Sequence, residues 1–171
     1  MTPHAVVLVE GPSDRIALET LAARRRRDLG AEGVAVIAIG GAQAIERTLR
    51  GLGGVRVAGL YDVAEERDVM QGLERAGRGA DGFFACDPDL EGELVRALGP
   101  ERMLELVEAR GQLGAFTTYR KQPAQRAKPI EAQLHGWLHN WKIRYAAPLV
   151  EALDLDRMPH PLDGVLAHVA R

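Results

Sequence analysis

The stretch AVVLVEGPSD, residues 5–14, decides the fold. Five apolar residues run without alternation, which is too short for a helix and suits a strand buried on both faces. The run stops at Glu10, and Gly-Pro-Ser turns the chain into a helix, with Ser13 as the expected N-cap and Ile16, Leu18, Leu21 and Ala22 at helical spacing. Strand, sharp turn, helix is the opening of a parallel βαβ unit.

The same grammar repeats downstream. Residues 33–41 (GVAVIAIGG) read as a second buried strand closed by two glycines, and 42–52 as a helix. RVAGLYD (56–62) is a third strand ending in Asp62, followed by a helix over 64–76. GFFAC (82–86) is a fourth, ending before Asp87-Pro88-Asp89. Right-handed crossovers put helices on both faces of such a sheet. The expectation is an α/β fold of Rossmann-like build, with a central, mainly parallel four-stranded sheet, over residues 1–100. A helical C-terminal extension, 101–171, packs on it. Within that extension 101–110 reads as a helix, 113–118 as a short extended piece and 122–129 as a proline-bracketed connector. Residues 130–153 read as helical with breaks near Asn140 and Pro148, and a last short helix follows MPHP (158–161).

Composition narrows the function classes. The chain has 171 residues, 46% hydrophobic and 27% charged, so one ordinary core is available and wholesale disorder is excluded. A single cysteine, Cys86, rules out an internal disulfide and any multi-cysteine zinc site; at a strand end it reads as a small buried residue. No stretch approaches the roughly 18 apolar residues of a membrane span, and the start lacks the basic region of a signal peptide, so a cytoplasmic protein with no membrane partner is expected. The net charge of −2 argues against coating nucleic acid by bulk charge. Its distribution matters more. Residues 117–145 hold six basic side chains (Arg120, Lys121, Arg126, Lys128, Lys142, Arg144) against one acid, Glu131, interleaved with Tyr119, Trp137, Trp141 and Tyr145.

The acids follow the strands. Glu10, Asp62, and then Asp87, Asp89 and Glu91 all fall at the carboxyl edge of the sheet, with Asp14 one helical turn away. Single acids after strands often cap the next helix. Glu10, however, lies where no cap is needed, and four acids within residues 87–93 exceed what one cap uses. Converging carboxylates need cations, and an oxygen-only donor set selects a hard ion, Mg²⁺ or Mn²⁺.

LVEGPSD (8–14), Gly40-Gly41, GLYD (59–62) and CDPDLEGEL (86–94) together resemble the Toprim domain of topoisomerases, primases and nucleases. The order is most similar to the Toprim part of the OLD (overcoming lysogenization defect) nucleases. The tail, with QPAQRAKPIEAQLHGWLHN, KIRYA and PHPL, resembles OLD C-terminal helices. The resemblance implies metal ligation by Glu10, Asp14, Asp62, Asp89 and Glu91 with one or two ions, and Lys142 as a cation facing them. Glu10 is expected to double as general base, and the basic residues Arg120, Lys121, Arg126, Lys128 and Arg144 to grip a nucleic-acid backbone. The implied activity is a DNA endonuclease or nickase. An RNA-processing Toprim nuclease, or an inactive Toprim-like module partnering a separate ATPase, are the alternatives. Two departures stand out. The usual Asp-x-Asp is Asp62-Val63-Ala64 here, so a second metal is held weakly or through Glu65 or Glu66; and no G-x-x-x-x-G-K-[ST] segment is present.

The remaining features read blandly. His135 and His139 lie at i, i+4 but show no third zinc ligand in sequence, so they read as a surface or core pair. Arg24–Arg27 reads as a solvated run at a helix C-terminus, Trp137 and Trp141 as a packing stripe, and Tyr119 as non-catalytic.

Overall fold

Successive residues of a strand point to opposite faces, and β1 (Ala5–Val9) uses both. Val7 and Val9 enter one core with Leu18, Leu21, Leu94, Phe116, Trp137 and Tyr145. Val6 and Leu8 enter a second with Ile45, Leu49, Val69 and Leu73. The computed structural model, which describes residues 3–170, thus has a three-layer build. Its sheet is wholly parallel, ordered β2-β1-β3-β4, with β2 at Val34–Ala38, β3 at Arg56–Asp62 and β4 at Phe83–Cys86. Helices α2 (Ile45–Gly51) and α3 (Glu66–Arg75) cover one face. Helices α1 (Pro12–Arg24) and α4 (Leu90–Leu98) cover the other.

The tail is a run of helices joined by turns: α5 (Pro100–Ala109), α6 (Leu113–Arg120), α7 (Ile130–Leu138), α8 (Lys142–Ala152) and α9 (His160–His168). Its buried side chains, among them Phe116, Tyr145, Leu149, Leu162 and Val165, belong to the same core as β1 and α1. Tail and sheet therefore share one core.

Four local expectations are corrected. Helix α1 starts at Pro12 with Gly11 as its N-cap, and Asp14 takes the capping role instead of Ser13 by accepting the Gly11 N–H at 2.8 Å. Residues 113–118 are helical: Thr117, Thr118 and Tyr119 favour a strand locally, but burial of Phe116 and its stacking with Tyr119 at i+3 overrides that. The break near Asn140 is real, with residues 139–141 forming the turn between α7 and α8, whereas Pro148 sits inside α8. There it withholds the donor that would pair the Arg144 carbonyl without ending the helix.

The fourth concerns the arginine run, which is bonded to the tail. Arg24 donates to the carbonyls of Val150 (2.7 Å) and Leu153 (2.5 Å) at the end of α8. Arg25 grips both oxygens of Asp163 and donates to the Leu155 carbonyl. Arg27 pairs with Glu32 and donates to the Leu166 carbonyl at 2.6 Å. The Val150, Leu153 and Leu166 carbonyls lie in or just past the last turns of α8 and α9, where helix carbonyls lack intrahelical partners and the guanidiniums take their place.

Candidate functional site

The strand order reverses between β1 and β3, and crevices form outside the carboxyl ends of strands at such switch points. Glu10 leaves β1 and Asp62 ends β3, one on each side of that point. An open pocket of about 540 Å³ lies there, lined by Glu10, Asp14, Asp62, Glu91, Lys142 and Arg144. The backbone beside it needs glycine: Gly40 (φ +76°) and Gly41 (φ +119°) lie in the left-handed region as the chain leaves β2, and the Gly40 N–H donates to the Glu10 carbonyl at 2.8 Å.

The first turns of α1 (Pro12, Ser13, Asp14), α4 (Glu91) and α8 (Lys142, Ile143, Arg144) all line the same pocket. Helix N-termini carry partial positive charge, so three of them face the carboxylates. The α8 terminus is there because the chain breaks after α7.

Charge in the pocket is nevertheless unbalanced. Glu91 is 5% exposed, and its Oε2 lies 3.0 Å from the Lys142 ammonium. Burial opposes the charge on that ammonium, but Glu91, Asp89 and Asp62 outweigh it and hold Lys142 above its ordinary value. Asp14 is pushed up to about 6 by burial, with Glu91 and Glu10 adding to it against the Gly11 N–H bond. Asp62 is pushed up to about 7 by burial and then by Glu10, Asp89 and Asp14. Two carboxyls held this far above the usual range mark a site short of positive charge.

Five of the acids and cations expected at the site, Glu10, Asp14, Asp62, Glu91 and Lys142, line this pocket together. Asp89 is turned aside. It caps α4, accepting the Gly92 N–H at 2.8 Å, and both its oxygens lie 2.8 Å from His135 Nε2. Of the two acids near Ala64, Glu65 approaches Glu10: burial and Glu10 raise its carboxyl, and the Ala42 N–H bonds it. Glu66 instead accepts from the Tyr61 hydroxyl at 3.4 Å. Asp87 is exposed at the edge of a local network in which Arg96 pairs with Glu93.

The basic segment divides. Arg144 lines the pocket and stacks over Trp141. Arg120 bonds Gln133 at 2.6 Å and lies over the Phe116 ring, and Arg126 bonds the Lys121 carbonyl. Lys121 and Lys128 are exposed on the connector between α6 and α7 and do not line the pocket. Trp137 packs between Phe116 and Tyr145, as a packing stripe should, and Tyr119 packs on Phe116. Sequence reasoning missed Ile143, 60% exposed on the pocket wall; an isoleucine between two cations was the available signal.

Residues 3–62 match the family described as overcoming lysogenization defect protein-like, Toprim domain. That span carries Glu10, Asp14 and Asp62. No curated protein matches the chain in sequence. The fold is similar to that of the C-terminal region of the Burkholderia pseudomallei OLD protein, with a TM-score of 0.73 at 18% identity, covering 99% of this chain and 98% of that one. It is equally similar to the C-terminal region of the Xanthomonas campestris pv. campestris OLD protein, with a TM-score of 0.73 at 23% identity, covering 98% and 92%. This likeness extends through the helical tail, beyond the reach of the family match. Residues 3–62 are therefore similar to the OLD-like Toprim family, and the fold, from end to end, is similar to that of the C-terminal region of OLD proteins.

Proposed function

We propose that the pocket is the centre of a divalent-metal-dependent phosphodiesterase acting on nucleic acid, with DNA favoured as an endonuclease or nickase substrate. The observation that carries this reading is the convergence of Glu10, Asp14, Asp62 and Glu91 on one open pocket with a single ammonium, Lys142, among them. The donor set is all oxygen and short of positive charge, which fits Mg²⁺ or Mn²⁺. Glu10, Asp14, Asp62 and Glu91 would hold it, with Glu65 close enough to Glu10 to assist a second ion. Asp89 is left out of this set because it does not line the pocket and both its oxygens face His135. A bound ion supplies Lewis-acid polarisation of the phosphoryl group and a more acidic water.

The protein's own groups do the rest. Glu10, at the end of a rigid central strand, is the general base that takes a proton from the attacking water. Lys142 offsets charge building on the phosphate, and the first turns of α1, α4 and α8 favour the anion there. Arg144 holds the backbone at the pocket wall.

Plasmid nicking with Mg²⁺, Mn²⁺ or chelator tests the reading, with Glu10→Gln as control. Metal-dependent nicking that Glu10→Gln abolishes is expected, and intact plasmid together with intact structured RNA under every condition refutes it. Cleavage of structured RNA alone moves the substrate to RNA. Ala64 favours a second reading, a binding module serving a separate ATPase, and calorimetry with Mg²⁺ or Mn²⁺ separates the two because such a module takes up neither ion in the carboxylate pocket.

A further inference from the structure

His135 and His139 lack a third ligand in the sequence, and the fold brings one from 46 residues away. Asp89, 7% exposed, lies with both oxygens 2.8 Å from His135 Nε2. The His135 and His139 rings meet edge to face at 5.6 Å. One donor atom from each of Asp89, His135 and His139 lies within 4.8 Å of the others. We infer that Asp89, His135 and His139 form a second cation site, for a zinc-class transition ion, beside the carboxylate pocket.

The geometry suits such an ion. Metal–nitrogen and metal–oxygen bonds of about 2.0–2.2 Å put neighbouring ligand atoms about 2.9–3.5 Å apart in octahedral or tetrahedral sites. The His135–Asp89 spacing is already near that value. His139 is exposed and follows the last residue of α7, and closing the cluster from 4.8 Å needs its ring to move inward by about an ångström. Asp89 is fixed from behind by the Gly92 N–H at the start of α4, the kind of support that orients metal-binding carboxylates.

Ion class follows from the donors. Two imidazoles and one carboxylate favour Zn²⁺, Co²⁺ or Ni²⁺, whereas Mg²⁺ prefers oxygen alone. The two sites therefore differ in chemistry. His139 lines the carboxylate pocket as well, so an ion held there adds positive charge to the wall beside Lys142 and Arg144. The inference does not depend on the phosphodiesterase reading.

The test uses the full chain in excess Mg²⁺, which occupies the oxygen sites. Co²⁺ uptake is followed by visible absorption and Zn²⁺ uptake by calorimetry. One equivalent of either ion is expected to bind. His139→Ala and His135→Gln weaken it at least about tenfold, and Glu10→Gln leaves it unchanged. His139 is exposed, so its removal leaves the core intact; an unaltered melting temperature in chelator verifies this, and this variant decides the matter if His135→Gln is unstable. No uptake of Co²⁺ or Zn²⁺, equal uptake by His139→Ala, or loss of uptake in Glu10→Gln each overturns the site. Uptake as expected in a chain that cleaves no nucleic acid overturns the phosphodiesterase reading and leaves this site standing.

Discussion

Asp62→Asn should make the metal-free protein more stable, although it removes a group from the centre of the site. Asp62 is pushed up from 3.8 to about 7 by burial and by Glu10, Asp89 and Asp14. Between those values the folded chain holds a proton that the unfolded chain has lost. Its contribution to stability is thus full below the unfolded value and is lost as pH rises toward 7. At 1.36 kcal/mol per pH unit the whole interval bounds the effect near about 4 kcal/mol. Water reaching this half-buried carboxylate screens its neighbours and reduces the figure to about 1–2 kcal/mol. For a chain of this size that is a rise in Tm of about 2–8 °C in the variant at pH 8. Melting curves in chelator from pH 5 to 8.5 read it directly. The two proteins should converge toward pH 5 and separate toward pH 8, and the variant should keep the gentler slope due to Asp14, which is pushed up to about 6. An Asp62→Asn chain no more stable than the parent at pH 8 in chelator would refute the account of a pocket short of positive charge.

Other outcomes follow from the same geometry. Millimolar Mg²⁺ or Mn²⁺ should stabilise the parent by about 2.7 kcal/mol at a hundredfold excess over Kd, and Asp62→Asn by less, as read by the metal-dependent shift in Tm. Lys142→Ala should cut the single-turnover cleavage rate far more than equilibrium binding, because the cation acts on charge that develops late; unchanged single-turnover rates would demote it to the partner of Glu91. Arg144→Ala should weaken binding and flatten its salt dependence by about one counterion, a slope read from binding isotherms at several salt concentrations. Arg24→Ala should cost about 2–4 kcal/mol in denaturant unfolding, since it strips two charged hydrogen bonds from the Val150 and Leu153 carbonyls.

What the sequence discloses about this protein depends on the distance over which each signal acts. The β1 run and the Glu10 turn are local, so the sheet, the switch point and the carboxylates flanking it are legible within a few residues. Asp14 is readable as an acid in a first turn; that it, and not Ser13, makes the capping bond follows from the helix starting two residues sooner, at Pro12 with Gly11 as its N-cap. The arginine run was misjudged because its partners lie more than 120 residues away, where no periodicity reaches.

The histidines show the same limit at the site itself. At i, i+4 with no third ligand in view they are ordinary helix residues, and every local rule says so. Their environment changes only because β4 ends at Cys86 and α4 begins at Leu90, which lays the capping Asp89 against α7. The cap that fixes α4 is therefore the group that converts two bland histidines into a three-donor cluster. It also leaves Glu91, one residue into the helix, as the acid facing Lys142. Capping and site-building, weighed as rival explanations for the acids after β4, are thus divided between neighbours: Asp89 caps while Glu91 enters the pocket.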